Sequence, residues 1–267
     1  MRIAVISDVH GNLPALEAVL ADIAASGAEL TLNLGDILSG PLWPEETAQQ
    51  LMALGLPTIR GNHERQLLTL PRERMGASDA FAAQAISAAQ RDWLASLPAT
   101  MEPAADVYGC HGTPDSDLRY FLETVTPEGW RGPAEPGLRA ATADEAAERA
   151  GGVRHGLILC GHTHVPRAVR LDDGRLIVNP GSVGLQAYHD GHPRPHTVEN
   201  GTPHARYALL TRRGAGWQIE LRAIAYDWEA AARRAEANGR GDWADALRSG
   251  RVGRWERDAQ AAPAQPG

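Results

Sequence analysis

Residues 1–10 read MRIAVISDVH, an apolar run that ends in an acid and an imidazole. The run Ile3–Ser7 has the length and apolar character of a buried strand. Strand and helix patterns then alternate through the first half of the chain, and this order predicts a mainly parallel sheet covered on both faces. The predicted elements are a helix at Leu13–Ser26, a strand at Glu29–Leu34, a helix at Pro44–Leu54, a strand at Pro57–Arg60 and a long Ala-rich helix at Ser78–Leu97.

The second half of the chain is richer in strands. Two turn sequences, residues 172–174 and 213–216, separate apolar runs and predict hairpins. We expect one domain over residues 1–258 and a flexible tail at 259–267. The predicted elements are strands at Asp106–Cys110, Leu157–Cys160, Arg167–Leu171, Arg175–Asn179, Arg206–Thr211 and Trp217–Ile224, helices at Asp227–Ala237 and Asp242–Arg248, and Gly/Pro-rich loops at Gly129–Gly137 and His189–Pro203.

The composition of the 267 residues is that of a globular protein, with 43% hydrophobic and 22% charged residues. No apolar run approaches the roughly 18 residues of a membrane span. The acid at Asp8 comes too early for a signal peptide. We therefore expect a cytoplasmic protein with no membrane partner.

Charge excludes several classes of function. All 26 basic residues are Arg, so a P-loop lysine, a Schiff-base lysine and a Ser-x-x-Lys nucleophile are ruled out. The net charge of −7 argues against a broad basic surface for duplex nucleic acid. The two cysteines, Cys110 and Cys160, each close an apolar run and are expected to be buried thiols.

Polar residues follow five predicted strands at the point where each strand ends. In open α/β sheets this edge is where ligands bind. Each group alone is weak evidence, but five in order on one edge are hard to explain as coincidence. The groups are Asp8-Val9-His10, Gly35-Asp36, Gly61-Asn62-His63, His111 and Gly161-His162-Thr163-His164.

These groups supply carboxylate, imidazole and amide donors without a thiolate, a mixture that suits Mn²⁺, Fe or Zn²⁺. Seven donors are too many for one tetrahedral ion and suit two ions that share a carboxylate. The candidate ligands are Asp8, His10, Asp36, Asn62, His111, His162 and His164.

The ordered set Asp-x-His, Gly-Asp, Gly-Asn-His-Glu, His and Gly-His-x-His resembles the calcineurin-like metallophosphoesterases, and most of all their small bacterial and archaeal phosphodiesterase branch. The resemblance runs from Met1 to about Gly184 and includes Asn179-Pro180-Gly181-Ser182-Val183. It implies an α/β fold built as a four-layer α/β/β/α sandwich, with two mixed sheets, flanking helices and metals at the strand ends.

The resemblance also implies how the ligands are shared. One ion takes Asp8, His10, Asp36 and His164, and the other takes Asp36, Asn62, His111 and His162, so that Asp36 bridges them. Two cations roughly 3.5–4 Å apart clamp a phosphoryl group and activate a bridging hydroxide for in-line attack. Manganese is the first expectation, with iron, zinc, nickel or cobalt as alternatives.

In this family the equivalent of His63 stabilises the transition state or the leaving group, as a general acid acts. Ser/Thr phosphatases of the superfamily follow Gly-Asp with a second Asp and an Arg-Gly pair. This chain has Ile37-Leu38-Ser39-Gly40 instead. We therefore expect His63 to lack a partner carboxylate at Ser39, and to be a weaker acid.

Two residues are candidates for substrate contact. Arg65 follows the third motif and is able to hold a phosphate with two hydrogen bonds. Tyr120 follows the His111 motif by a short loop and is placed to reach the leaving group. The histidines of the later Pro/Gly-rich stretch are expected to be surface loop residues; they are His189, His192, His196 and His204.

The expected function is hydrolysis of a small phosphorylated substrate, with a nucleotide as one option and phosphodiesters favoured over monoesters. The alternatives within enzymes are a Ser/Thr protein phosphatase and a dinucleoside-polyphosphate hydrolase. From another class, the same fold serves as a non-catalytic interaction scaffold in the retromer. Intact candidate ligands at all seven positions argue against a scaffold, and the sequence leaves the oligomeric state open.

Overall fold

The computed structural model describes residues 1–127 and 137–253. The predicted loop at 129–137, apart from Gly137, and the predicted tail at 259–267 lie outside the described residues. The strands are β1 Arg2–Ile6, β2 Leu30–Asn33, β3 Thr100–Ala104, β4 Val107–Cys110, β5 Glu123–Val125, β6 Leu138–Ala140, β7 Leu157–Leu159, β8 Arg167–Arg170, β9 Leu176–Asn179, β10 Ala187–Asp190, β11 His196–Glu199, β12 Ala205–Arg213 and β13 Gly216–Ile224.

The helices lie between these strands and at the end of the described chain. Among residues 1–127 and 137–253, no helix combines the length and the apolar character that crossing a membrane requires. The helices are α1 Leu13–Ser26, α2 Pro44–Leu54, α3 Asn62–Thr69, a 3₁₀ turn at Arg72–Arg74, α4 Ala77–Ala85, α5 Ala88–Ser96, α6 Ala143–Ala150, α7 Trp228–Ala237 and α8 Gly241–Ser249.

Two mixed sheets form the centre of the fold. The first has the order β13-β12-β1-β2, in which β1 runs parallel to β2 and antiparallel to β12. The second has the order β3-β4-β7-β9-β8, with three parallel central strands and an antiparallel strand at each edge. Parallel pairs bring the carboxyl ends of their strands to one edge, and the predicted site residues follow those ends.

The alternation of side chains along β1 explains how the layers pack. Ile3 and Val5 belong to an apolar cluster that also contains Leu157 and Leu159 of the second sheet. Ala4 and Ile6 belong to another cluster, with Leu16 of α1. On the far side of the second sheet, α6 packs against alternate residues of β7 and β9. The order helix, sheet, sheet, helix confirms the predicted four-layer sandwich.

Several predicted elements are confirmed, and α1 and α2 have the predicted bounds. Asn12 accepts a hydrogen bond from the first turn of α1, and Pro14 lies within that turn. Gly27 and Gly55 end the two helices in the left-handed conformation that glycine tolerates. Both predicted hairpins are present, as β8–β9 and β12–β13.

Three of the secondary-structure predictions are wrong. The helix predicted at Ser78–Leu97 is two helices, because Ser87 caps a new one by accepting a hydrogen bond from the backbone N–H of Gln90. The strand predicted at Pro57–Arg60 is a single parallel bridge between Thr58 and Asn33. The stretch at His189–Pro203, predicted as a loop, contains the β10–β11 hairpin.

We expect replacement of Leu32 by alanine to lower the free energy of unfolding by about 2–5 kcal/mol, because Leu32 is fully buried between the two sheets and its removal leaves a cavity there. Urea denaturation followed by circular dichroism measures this. Leu54→Ala is the control, since Leu54 is 47% exposed and its loss is expected to change stability by no more than about 0.5 kcal/mol. Equal losses in both variants would contradict the assignment of this core.

Candidate metal centre

The seven predicted ligands come from five segments that converge at one edge of the two sheets. Asp8 and His10 follow β1, Asp36 follows β2, and Asn62 is the first residue of α3. The remaining three, which follow β4 and β7, are His111, His162 and His164. Five of the seven line a cavity of about 910 Å³; they are His10, Asp36, Asn62, His162 and His164.

Six of the seven residues form two clusters. The first consists of Asp8, His10 and His164, whose ligand atoms all lie within 4.8 Å of one another. In that cluster His10 Nε2 is 3.1 Å from His164 Nε2, which is 3.4 Å from Asp8 Oδ1. Two imidazole nitrogens this close to a carboxylate suit a shared cation.

The second cluster consists of Asp36, His111 and His162. His111 Nε2 lies 3.0 Å from Asp36 Oδ2 and 3.2 Å from Asn62 Oδ1. Asn62, which offers an amide oxygen, therefore contacts this cluster as the resemblance implied. A carboxylate, an amide and two imidazoles are a donor set that suits a divalent transition metal.

The backbone at these strand ends adopts an uncommon conformation. Left-handed backbone costs a residue with a side chain about 1–3 kcal/mol and persists where the surroundings enforce it, often at functional sites. In the described part of the chain six such residues have positive φ, and five of them are predicted ligands. They are Asp8 (55°), His10 (51°), Asp36 (53°), His162 (69°) and His164 (59°).

Backbone carbonyls fix the orientation of the imidazoles. The Nδ1–H of His10 donates to Ser39 O at 2.7 Å, and that of His111 donates to Leu34 O at 2.7 Å. His164 does the same with Leu185 O at 2.8 Å. In each ring this assigns the proton to Nδ1 and leaves Nε2 for the cluster, which is how metal-bound histidines are commonly held.

His162 is oriented the other way round. Its Nε2 donates to Leu118 O at 3.1 Å, so Nδ1 is the nitrogen available to the cluster. Its backbone N–H lies 3.2 Å from Asp8 Oδ2, which links the two clusters.

The electrostatics favour anionic carboxylates, with neutral imidazoles at His10 and His162. Burial alone would raise the pKa of Asp36, but the positive charges of His111 and His63 hold it well below its usual range. Burial and His164 lower the pKa of His10 to about 3, and burial and His111 lower that of His162 to about 4. Deprotonated donors of this kind are what a metal requires.

Glu64 supports the loops of the site, a role that the sequence analysis did not assign to it. Its carboxylate is 1% exposed and accepts the backbone N–H groups of Asp36 at 2.8 Å, Ile37 at 2.7 Å and Gly61 at 2.8 Å. These bonds fasten the loop after β2 to the start of α3. Gly61 itself has no room for a side chain, because a Cβ there would collide with Asp36 Oδ1.

The expectation that His63 lacks a partner carboxylate is wrong. His63 Nδ1 lies 2.7 Å from Oδ1 of Asp79, a 3% exposed residue in the first turn of α4. Ser39 donates its hydroxyl to the same oxygen at 2.6 Å. The carboxylate thus comes from another element, and Ser39 orients it. Burial opposes a charge on His63, but Asp36 and Asp79 outweigh it and raise its pKa to about 9.

Tyr120 lies at the wall of the cavity, as part of a hydrogen-bonded group. Its hydroxyl is 2.8 Å from the hydroxyl of Tyr188 and 2.9 Å from His196 Nε2, and its ring centroid is 5.0 Å from that of His162. The prediction that His196 is a surface residue is therefore wrong, since it is 2% exposed. His189 and His192 line the same cavity, so the hairpin β10–β11 forms part of its wall.

Arg65 is engaged elsewhere. Its guanidinium donates two hydrogen bonds to Asp117, at 2.6 and 2.9 Å, and the residue is not among those lining the cavity. A role for Arg65 in binding substrate stays a prediction. The arginines that do line the cavity, within the described residues, are Arg119, Arg149 and Arg240, and no motif in the sequence marked them.

A sandwich of two mixed sheets with paired Asp and His clusters at the strand ends is the architecture of the metallophosphoesterase fold. The family model described as the calcineurin-like phosphoesterase superfamily domain matches residues 1–198, and the chain belongs to that superfamily. The match ends before β12, although β12 pairs directly with β1.

Three proteins are similar over nearly the whole chain, two in sequence and one in fold alone. An uncharacterized protein of Methanocaldococcus jannaschii is 27% identical over 254 residues, 90% of this chain and 94% of that protein. The crystal structure of a metallophosphoesterase from Sphaerobacter thermophilus is 26% identical with a TM-score of 0.71, covering 94% of this chain and 99% of that one. A hypothetical protein from Pyrococcus horikoshii shares the fold, with a TM-score of 0.73, 17% identity and the same two coverages.

We expect Glu64→Gln to weaken Mn²⁺ binding by about 10- to 100-fold, because the amide puts an N–H group against backbone N–H donors and loosens the loop that carries Asp36. Isothermal titration calorimetry of metal-free protein measures this. Glu46→Gln is the matched control, because Glu46 is exposed on α2. An unchanged affinity in Glu64→Gln would show that Glu64 does not position the ligands.

Proposed function

We propose that this protein is a dinuclear-metal phosphodiesterase. The observation that carries the proposal is the placement of two Asp/His clusters in one site, with His63 and its partner Asp79 beside them. Membership of the calcineurin-like phosphoesterase superfamily supports it. The similarity to a metallophosphoesterase of Sphaerobacter thermophilus supports it too. The cytoplasmic location stays a prediction of the sequence.

The residues present fit two divalent transition-metal ions. Asp8, His10 and His164 would hold one ion, Asn62, His111 and His162 would hold the other, and Asp36 would serve both. A carboxylate, imidazole and amide set without thiolate favours Mn²⁺ as the first ion to test. When bound, such a pair supplies positive charge against the phosphoryl oxygens and lowers the pKa of a water molecule.

His63 is proposed to give a proton to the oxygen of the leaving group. Asp79 accepts from Nδ1, which holds the ring in one orientation and stabilises its positive charge. The backbone N–H of His63 donates to Asp36 Oδ1 at 3.0 Å, so the acid and the proposed bridging carboxylate are fixed relative to each other. Proton transfer matters most for substrates whose leaving group is a poor one.

The cavity favours a substrate with an organic group over inorganic or terminal phosphate. Its volume of about 910 Å³ exceeds what a phosphoryl group needs, and apolar and aromatic side chains line it beside the metal centre. They include Leu118, Leu185, Tyr188 and Trp243. A phosphodiester carries an organic group on each side of the phosphorus, and these groups are able to contact the apolar wall of the cavity.

The deciding experiment combines metal analysis with hydrolysis by Mn²⁺-loaded protein. We expect two ions per chain and a higher kcat/KM for bis(p-nitrophenyl) phosphate than for p-nitrophenyl phosphate. A preference for phosphoserine peptides would support a protein phosphatase, and a preference for diadenosine tetraphosphate would support a dinucleoside-polyphosphate hydrolase. One ion or none, with no hydrolysis of any ester, would support the scaffold alternative and end the proposal.

We expect Asp36→Asn to lose metal and activity together, because the amide removes the charge that two ions would share. Elemental analysis after dialysis, alongside kcat for bis(p-nitrophenyl) phosphate, tests this. Asp92→Asn is the matched control, since Asp92 is exposed on α5 and is expected to keep both properties. Retention of two ions by Asp36→Asn would remove Asp36 from the bridging position.

We expect His63→Gln to lower kcat on the order of 10²-fold and Asp79→Asn on the order of 10-fold, with both metals retained, because His63 acts on the substrate and Asp79 acts through His63. The losses should be larger for alkyl than for aryl diesters, since alkyl oxides depart only with a proton. Steady-state kinetics on a series of diesters, with metal content measured in parallel, tests this. Equal losses across the series would show that His63 does not protonate the leaving group.

A further inference from the structure

The cavity extends from the metal centre along the segment that follows His111. At one end of this segment, Leu118 O accepts a hydrogen bond from His162 Nε2. At the other end, Glu123 O accepts one from Arg149 Nη1 at 2.9 Å. Since a residue spans at most about 3.6 Å of chain, these two points are no more than roughly 18 Å apart. Arg149 lines the same cavity as five of the candidate metal ligands.

The guanidinium of Arg149 is buried and bound by neutral acceptors. The residue is 9% exposed and lines the cavity. Its Nη1 donates to Phe121 O at 3.0 Å as well as to Glu123 O, and its Nη2 donates to the hydroxyl of Thr124 at 2.7 Å. These bonds fix the plane of the guanidinium without neutralising its charge.

No carboxylate among the described residues forms a hydrogen bond with Arg149. The carboxylate beside it is Glu145, whose Oε1 is 3.8 Å from Nη2, and both Glu145 oxygens already accept from Arg139, at 2.7 and 2.8 Å. Arg149 Nε, which is also buried, has no hydrogen-bonding partner in the described part of the chain. Buried charges in proteins are normally held by a close, hydrogen-bonded counter-charge, whereas Arg149 has only the distant contact with a Glu145 carboxylate that Arg139 already binds.

The charges around Arg149 also bear on its need for an anion. Burial lowers the pKa of Arg149; the carboxylates of Glu145 and Glu148 oppose this effect, and the guanidinium of Arg119 adds to it, with a net lowering. Arg119 lines the same cavity and pairs with Glu148 at 2.7 Å on its exposed side. Two guanidinium groups that repel each other beside a cavity are stabilised when an anion binds between or against them.

We propose that Arg149 forms a second anion subsite, which binds a phosphate group that the substrate carries in addition to the scissile one. This inference rests on the proposed function and names its substrate class, a phosphodiester with a further phosphate on its organic group. The bonds of Arg149 to Phe121, Glu123 and Thr124 preorganise the guanidinium, so little freedom is lost on binding.

The kinetic test compares two esters of one leaving group, the p-nitrophenyl ester of thymidine 5′-phosphate with and without a 3′-phosphate. We expect the wild-type, Mn²⁺-loaded protein to show a KM on the order of tenfold lower for the ester with the 3′-phosphate. Arg149→Met should bring the two KM values together. Arg154→Met, at an exposed arginine five residues further along the chain, removes the same charge and should keep the difference. Equal KM values in the wild type, or an unchanged difference in Arg149→Met, would overturn the proposal.

A binding measurement separates this proposal from the proposed function. Isothermal titration calorimetry compares the binding of thymidine 3′,5′-bisphosphate and thymidine 5′-phosphate to the wild-type protein. This measurement does not depend on catalytic activity or on the folding of a variant. We expect the bisphosphate to bind about tenfold more tightly, with or without Mn²⁺. If no ester is hydrolysed but this preference holds, the proposed function fails and the subsite stands. Equal affinities would overturn the subsite whatever the activity.

Discussion

Asp8 and Asp36 are 0% and 1% exposed, and two carboxylates this deeply buried are costly unless positive charge and hydrogen-bond donors surround them. The site is arranged to supply both. The imidazoles of His111 and His164 lie 3.0 and 3.4 Å from the two carboxylates, and backbone N–H groups of His63 and His162 point at their remaining oxygens. His10 and His162, whose pKa values burial lowers to about 3 and about 4, add no positive charge, and divalent ions would supply it. The need to surround two buried carboxylates also explains why the candidate ligands lie at strand ends, where the backbone is free to turn toward them.

Strained backbone needs rigid support, and the fold provides it around the metal centre. Backbone hydrogen bonds join the loops that carry left-handed residues, such as His10 N–H to Asp36 O at 3.0 Å and Asp8 N–H to Gly35 O at 2.9 Å between the loops after β1 and β2. Glu64 adds three more bonds from a single buried side chain. Residues that would touch no metal, such as Glu64, therefore help to determine whether the five segments that carry the candidate ligands converge.

The sequence predicts those features of the structure that depend on local residue patterns or on the order of parallel strands. The bounds of α1 and α2 follow from proline near their starts and glycine at their ends, and the convergence of the candidate ligands follows from their place after parallel strands. Tertiary contacts lie beyond such patterns. Asp79 lies in an Ala-rich helix with nothing local to mark it as the partner of His63. The three-residue strands β5 and β6 are too short to show a period, and the break at Ser87 depends on one cap that competes with a long apolar pattern.

The metal centre and the cavity wall are built by different parts of the chain. All seven candidate ligands lie within residues 1–198, the part that matches the superfamily. The wall beside His10 comes partly from beyond it, since the ring of Trp243 in α8 lies 6.0 Å from that of His10 and Arg240 donates to Ser78, the neighbour of Asp79. The opposite wall comes from Tyr120, α6 and the β10–β11 hairpin. The strand ends are constrained in sequence, because they must bring the candidate metal ligands to two buried carboxylates. The helices and the hairpin at the rim carry no such constraint, so their side chains are free to vary and to set which organic group the cavity accepts.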